Sequence, residues 1–216
     1  MILQKLLFLA CVNLLIGFAA ISGIPQSTPE ITTTRPETVR NVFADALLGQ
    51  DKPGGFVIVK NDCGSEKPDA PLKQPIGASE DLFDFITKTN PDYRIVKGLE
   101  TINLLPADYE PEILKVRIND FFIDSDKSIS VVLEELLSLK ELRGNVNAVT
   151  LNKGMQIMVG SSGPSLPGPR RVKHLSFVQV RQALNDIAVF YRNGIWAYTE
   201  YRCDGKVKST LSFVKG

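Results

Sequence analysis

The sequence predicts an α+β fold, built of repeated small β-α-β-β units with short helices packed on one face of mixed sheets. Three observations lead there. Apolar residues recur at helical spacing in short stretches, β-branched and aromatic runs of strand length lie between them, and Gly, Pro and Asp-Gly turns separate the two. The chain has 216 residues, 44% of them hydrophobic and 23% charged. That composition suits one sizeable domain or two small ones. It excludes a wholly disordered chain, which has fewer apolar residues and a larger net charge.

The elements follow in order. Residues 38–49 read as an amphipathic helix, with Val39, Val42, Phe43, Ala46 and Leu47 on one face. A Pro-Gly-Gly turn leads to the strand GFVIVKND, which ends at Cys63. Ser79 is the expected cap of a second helix carrying Leu82, Phe83 and Ile86. YRIVKG and TINLLP are strands joined by a Gly turn, and ILKVRINDFFI is a third. The stretch SISVVLEELLSLKEL is a helix; AVTL and MQIMVG are strand-like. A loop, GSSGPSLPGP, precedes strand VKHLSF, helix VQVRQALNDIAVFYRN, strand IWAYTEYR, an Asp204-Gly205 turn and strand STLSFV. Phe83, Leu133 and Leu184 sit 50 and 51 residues apart, each followed three positions later by Ile86, Leu136 or Ile187. That spacing is the basis for expecting a repeat. The expected domains are a signal peptide at 1–22, a Pro- and Thr-rich disordered linker at 23–37, a degenerate repeat region at 38–160 and a short β-α-β-β domain at 170–216.

The signal peptide reading rests on Lys5, the apolar run of residues 6–18, and small residues at Ala20 and Ser22. The run is interrupted by Asn13 and is short of the roughly 20 residues a membrane span needs. Retention as an anchor and lipidation at Cys11 stay open beside cleavage. The expected location is periplasmic or secreted, with no stable span after cleavage. Removing Lys5 from 25 basic residues leaves 24 against 24 acidic ones, a mature charge of zero. Such a chain lacks the broad positive field that nucleic acid selects, so no nucleic-acid partner is expected. Cleavage leaves two cysteines, Cys63 and Cys203, in a compartment that permits disulfides. Their pairing would close a long loop, stabilising the fold by at most roughly 5 kcal/mol on the chain-entropy model.

The scan for chemistry yields little. His174, within PRRVKH, has no second His or suitable thiolate for zinc and no Gly-x-Ser-x-Gly elbow for a triad. It reads as an exposed strand residue. Asp124 to Glu135 has the length of a calcium loop, but Ile129 stands where that loop requires Gly, so Ser125–Ser128 read as a helix cap. Arg170, Arg171 and Lys173 read as a solvated strand face. No catalytic residue, metal ligand or cofactor is expected. The densest feature is FYRNGIWAYTEYRC, residues 190–203, which holds the only Trp. Strand alternation puts Trp196, Tyr198 and Glu200 on one face and Ile195, Ala197, Thr199 and Tyr201 on the other. Trp196 and Tyr198 are the candidate binding residues if that face is a platform, but the favoured reading is a core strand packed on Ala183, Leu184, Ile187 and Ala188.

The last unit resembles the short domain at the N-terminus of secretins and TonB-dependent receptors, through Val180, Arg181, Ala183, Leu184, Ile187 and Ala188 of the helix and the hairpin after it. The resemblance implies a stand-alone exported protein of the bacterial cell envelope that binds an envelope protein, a peptide or cell-wall material. The expected function is thus a non-catalytic binding or assembly module. The alternative is a small exported hydrolase using a carboxylate or Ser site. Convergent carboxylates in a pocket favour the hydrolase; a flat aromatic patch or an open sheet edge favours the binder.

Overall fold

The structure, a computed structural model, describes residues 38–61, 81–143, 149–151, 169–192 and 194–215. The expected signal peptide and linker, Ser79, Cys63 and the strand MQIMVG lie outside these residues. The fold is α+β, as predicted.

Helix α1, Val39–Gly49, starts at Thr38, whose hydroxyl accepts the Asn41 amide at 3.3 Å, and buries Val42, Phe43, Ala46 and Leu47. Strand β1 is Gly54–Lys60. Helix α2, Leu82–Thr89, is capped by Asp81, whose Oδ1 accepts the Phe83 amide at 2.8 Å. Asp81 is as good a cap as the expected Ser79, and it stands immediately before the first apolar residue. Strands β2, Tyr93–Lys97, and β3, Ile102–Pro106, pair antiparallel. The stretch expected as one strand from Ile113 divides into a single helical turn, α3 (Glu112–Lys115), and strand β4 (Arg117–Asp124). Helices α4, Ile129–Ser138, and α5, Lys140–Arg143, break at Leu139, which takes an extended ψ of 143°. Ser128 caps α4, accepting the Val131 amide at 3.4 Å, so the capping reading of this loop holds. The remaining elements are β5 (Val149–Leu151), β6 (Val172–Gln179), α6 (Val180–Phe190), β7 (Gly194–Cys203) and β8 (Lys206–Lys215). Asp204 and Gly205, both at positive φ (49° and 73°), make the two-residue turn that joins β7 to β8.

Six strands form one mixed sheet in the order β2-β3-β1-β7-β8-β5, while β4 and β6 pair antiparallel as a separate ribbon. Strand β7 lies parallel to β1 over seven residue pairs, from Gly54–Ile195 to Lys60–Tyr201. Among the described residues, strands from both stretches expected as separate domains thus share one sheet. β3 pairs one edge of β1, and β7 fills the other.

The helices lie on both faces of the sheet, not on one. On one face α1 and α2 pack on Phe56, Ile58, Leu104, Ile195 and Ala197. On the other, α3 to α6 and the inner face of the ribbon pack on Val57, Leu105, Trp196, Tyr198 and Leu211. Strand β1 shows why: GGFVIVK is apolar at consecutive positions, the pattern of a strand covered twice. All six residues of the expected repeat are buried. Their helices do not share one topology, however. The strand before α2 belongs to the large sheet and those before α4 and α6 belong to the ribbon, so a repeated unit does not emerge.

Candidate functional site

The alternation read in IWAYTEYRC is present: Ile195 and Ala197 enter one core, Trp196 and Tyr198 the other, beside Ala183, Leu184, Ile187 and Ala188. Trp196 is 0% exposed, and its Nε1 donates to Asn185 Oδ1 at 2.8 Å. Its ring lies against the backbone of β1, where a Cβ on Gly55 would come within 2.0 Å of Trp196 Cε2. Tyr198 is also buried, and its hydroxyl donates to Ser209 Oγ at 2.7 Å. Burial pushes its phenol far above the ordinary value. Neither ring reaches the surface, so the platform reading of Trp196 and Tyr198 gives way to the core reading.

Around Tyr198 lies a polar cluster that sequence reasoning missed. Tyr109 donates to both Glu200 oxygens, at 3.0 and 3.1 Å, and Arg202 Nε donates to Oε1 at 2.8 Å. The Arg202 guanidinium also covers the Tyr109 ring, 4.2 Å from its centroid. The carboxylate of the buried Glu200 is therefore compensated and hydrogen-bonded, which is what a charge in a core requires. Tyr109 stands 91 residues from Glu200, so no local pattern announces the pair. Cys203 ends β7, and its expected partner Cys63 lies outside the described residues.

The surface feature that stands apart is the outer face of the β4–β6 ribbon. Cross-strand pairs Asp120–Ser176 and Phe122–His174 line it. The Phe122 and His174 rings stack, 4.5 Å apart and within 11° of parallel, and His174 pairs with Asp120. His174 is thus an exposed strand residue, as expected, in an aromatic pair. Phe122 is 50% exposed, Val172 53% and Phe177 73%. Phe177 should face inward with Leu175, two residues before it. Its φ of 54° turns it out instead, and the ladder skips the Asn119–Phe177 pair. Left-handed backbone at a bulky residue costs on the order of 1–3 kcal/mol and is concentrated at functional sites.

In the neighbouring basic run Arg170 and Lys173 are paired with carboxylates, and Arg171 stacks on an aromatic ring. Arg170 binds Asp124 at 2.5 Å and Asp126 at 3.3 Å, Lys173 binds Asp186 at 2.7 Å, and Arg171 lies over the Phe190 ring at 5.0 Å. Arg170, with the Asp126 amide in second place, holds the Asp124 carboxyl below the usual carboxylate range. Among the described residues no group of three His, Cys, Asp or Glu could hold a metal ion, and no helix is long and apolar enough to cross a membrane.

No family model, curated protein or solved structure matches this chain.

Proposed function

We propose that the chain is an exported, non-catalytic binding or assembly module of the bacterial cell envelope, and that it docks an extended segment of a partner protein on the β4–β6 ribbon. The observation that carries this is Phe177, held out in water on left-handed backbone, on a ribbon that also exposes Phe122 and Val172. Each such ring forgoes roughly 1.5–3 kcal/mol of burial. A partner that covers the face recovers that energy. Among the described residues β4 and β6 pair only with each other, and a strand added to an outer edge would gain main-chain hydrogen bonds while its alternate side chains meet the patch.

Export is supported by the charged start and apolar run of residues 1–22. The likeness to the secretin and TonB-dependent receptor short domain is supported by the order of β6, α6, β7 and β8, a strand, a helix and then a hairpin.

The test compares capture from envelope extract by the wild type and by a Phe122→Ser/Phe177→Ser double variant, with Trp196 emission confirming that both are folded. The expected result is one or more proteins, retained by the wild type at stoichiometric levels, that the variant loses. Identical captured sets would end the proposal.

A further inference from the structure

A cleft of about 350 Å3 opens on the other side of α6, between that helix and the β2–β3 hairpin. It shares no residue with the ribbon. Arg181, Asn185 and Val189, four residues apart on α6, form one wall. Val96 and its cross-strand partner Asn103 form the floor, and the turn from Gly98 to Thr101 closes one end. The volume is at the lower end of the range for small-ligand pockets, about 300–1,000 Å3.

Asn103 is the unusual member. It is 2% exposed, and its Oδ1 has no hydrogen-bond partner among the described residues. A buried carbonyl left unpaired costs about 1–3 kcal/mol, so it calls for a donor from within the cleft. Asn185 lines the same cleft with a fixed orientation. Its Oδ1 accepts the Trp196 indole N–H, which leaves its amide nitrogen as the group available to a ligand. The floor therefore presents an acceptor and the wall a donor. This is also where the aromatic stretch enters function: Trp196 lies in the core, and its N–H sets the carboxamide at the cleft wall.

Two of the three charged groups of the cleft, Arg181 and Asp186, are already compensated, and the third, Glu100, is exposed at the turn, where solvent screens it. Arg181 pairs with Glu110 at 2.9 Å, and Asp186 holds Lys173 at 2.7 Å and Gln182 at 3.2 Å. A charged ligand would gain little from them, whereas a neutral one with paired donors and acceptors would gain from both carboxamides. β3 is flanked by β2 and β1, so an extended peptide cannot pair with the backbone at Asn103. A sugar hydroxyl can donate to Asn103 Oδ1 while its oxygen accepts from Asn185. Val96, Val189 and Leu99 give its C–H faces apolar contact. We infer that the cleft between α6 and the β2–β3 hairpin is a binding site for a neutral saccharide, read by Asn103 and Asn185.

The test is a titration of the 15N-labelled protein with N-acetylglucosamine, followed by amide chemical shifts, with N-acetyl-alanyl-alanine amide as a parallel arm. Saturable shifts confined to residues 96–103 and 181–189 are expected with the sugar and not with the dipeptide. Asn103→Leu should weaken the sugar at least tenfold, about 1.4 kcal/mol. It should also melt no lower than the wild type, because it removes an unpaired buried acceptor. Thr101→Val, at the cleft end, provides a second variant that should weaken binding. No saturable shift with the sugar, equal response to the dipeptide, or unchanged affinity in both variants would overturn the inference. None of these outcomes bears on the ribbon, whose double variant leaves the cleft intact.

Discussion

Replacing Trp196 perturbs the fold where its two halves meet. The ring is fully buried between β1 and α6, pressed onto Gly55 and hydrogen-bonded to Asn185. Trp196→Ala removes the largest buried side chain, at about 3–5 kcal/mol. It also strands Asn185 Oδ1, adding about 1–3 kcal/mol. The sum approaches the whole stability of an ordinary domain, about 5–15 kcal/mol. Trp196→Phe loses the N–H and part of the ring volume, so the hydrogen-bond loss of about 1–3 kcal/mol is expected with a cavity cost smaller than that of Trp196→Ala. Urea unfolding followed by far-ultraviolet circular dichroism measures all three proteins on one scale, since the signal does not depend on the single Trp. The expected order of midpoints is wild type, then Phe, then Ala, with the Ala variant largely unfolded without denaturant. An Ala variant within about 1 kcal/mol of wild type would refute the packing argument, whatever its mechanism of compensation.

Three further outcomes are expected. Gly55→Ala should destabilise by at least the 1–3 kcal/mol or so of an overpacked core, because its Cβ meets the indole at 2.0 Å; thermal melting measures it. Tyr109, Tyr191 and Tyr198 all have phenol groups raised by burial, so the stability they contribute is complete below the ordinary phenol value near 10 and is lost as pH climbs through the raised folded values. Tyrosinate absorbance should therefore lag in the folded protein and appear together with unfolding, and phenols titrating normally in the folded state would contradict this. Non-reduced peptide mass spectrometry should show Cys63 linked to Cys203. Strand β1 leaves its pairing with Tyr201 at Lys60, three residues before Cys63, and Cys203 follows Tyr201 by two. Ready alkylation of both thiols in the folded, non-reduced protein would reject the pairing.

The fold was legible wherever a residue's role was local. Helical spacing placed the buried residues of α1, α2, α4 and α6, and strand alternation assigned Trp196 and Ile195 to opposite faces, which enter separate cores. The insertion of β7 between β1 and β8 was not legible, because parallel pairing across about 140 residues of sequence leaves no local mark. The apolar run of β1 did signal a strand covered on both faces, although it was read only as β-branched. Asn103 looked like any polar strand residue within TINLLP; its meaning comes from α6 lying above it. Nothing in VKHLSF marks Phe177 as outward, since strand alternation pairs it with Leu175, and only the positive φ turns it out. No Gly or Pro marks the helix break at Leu139, whereas Pro111 immediately before the turn at Glu112 is a local start signal that was not used.

The claim that the ribbon is a docking face meets its most direct test at position 122. Phe122 is replaced by the photo-crosslinking residue p-benzoylphenylalanine in the full-length chain. The same residue at Asp84, exposed on α2, serves as the control. Illumination of whole envelopes followed by denaturing electrophoresis should give a discrete cross-linked band of higher mass from position 122 and none from position 84. No band from 122, or the same band from both positions, would contradict the account.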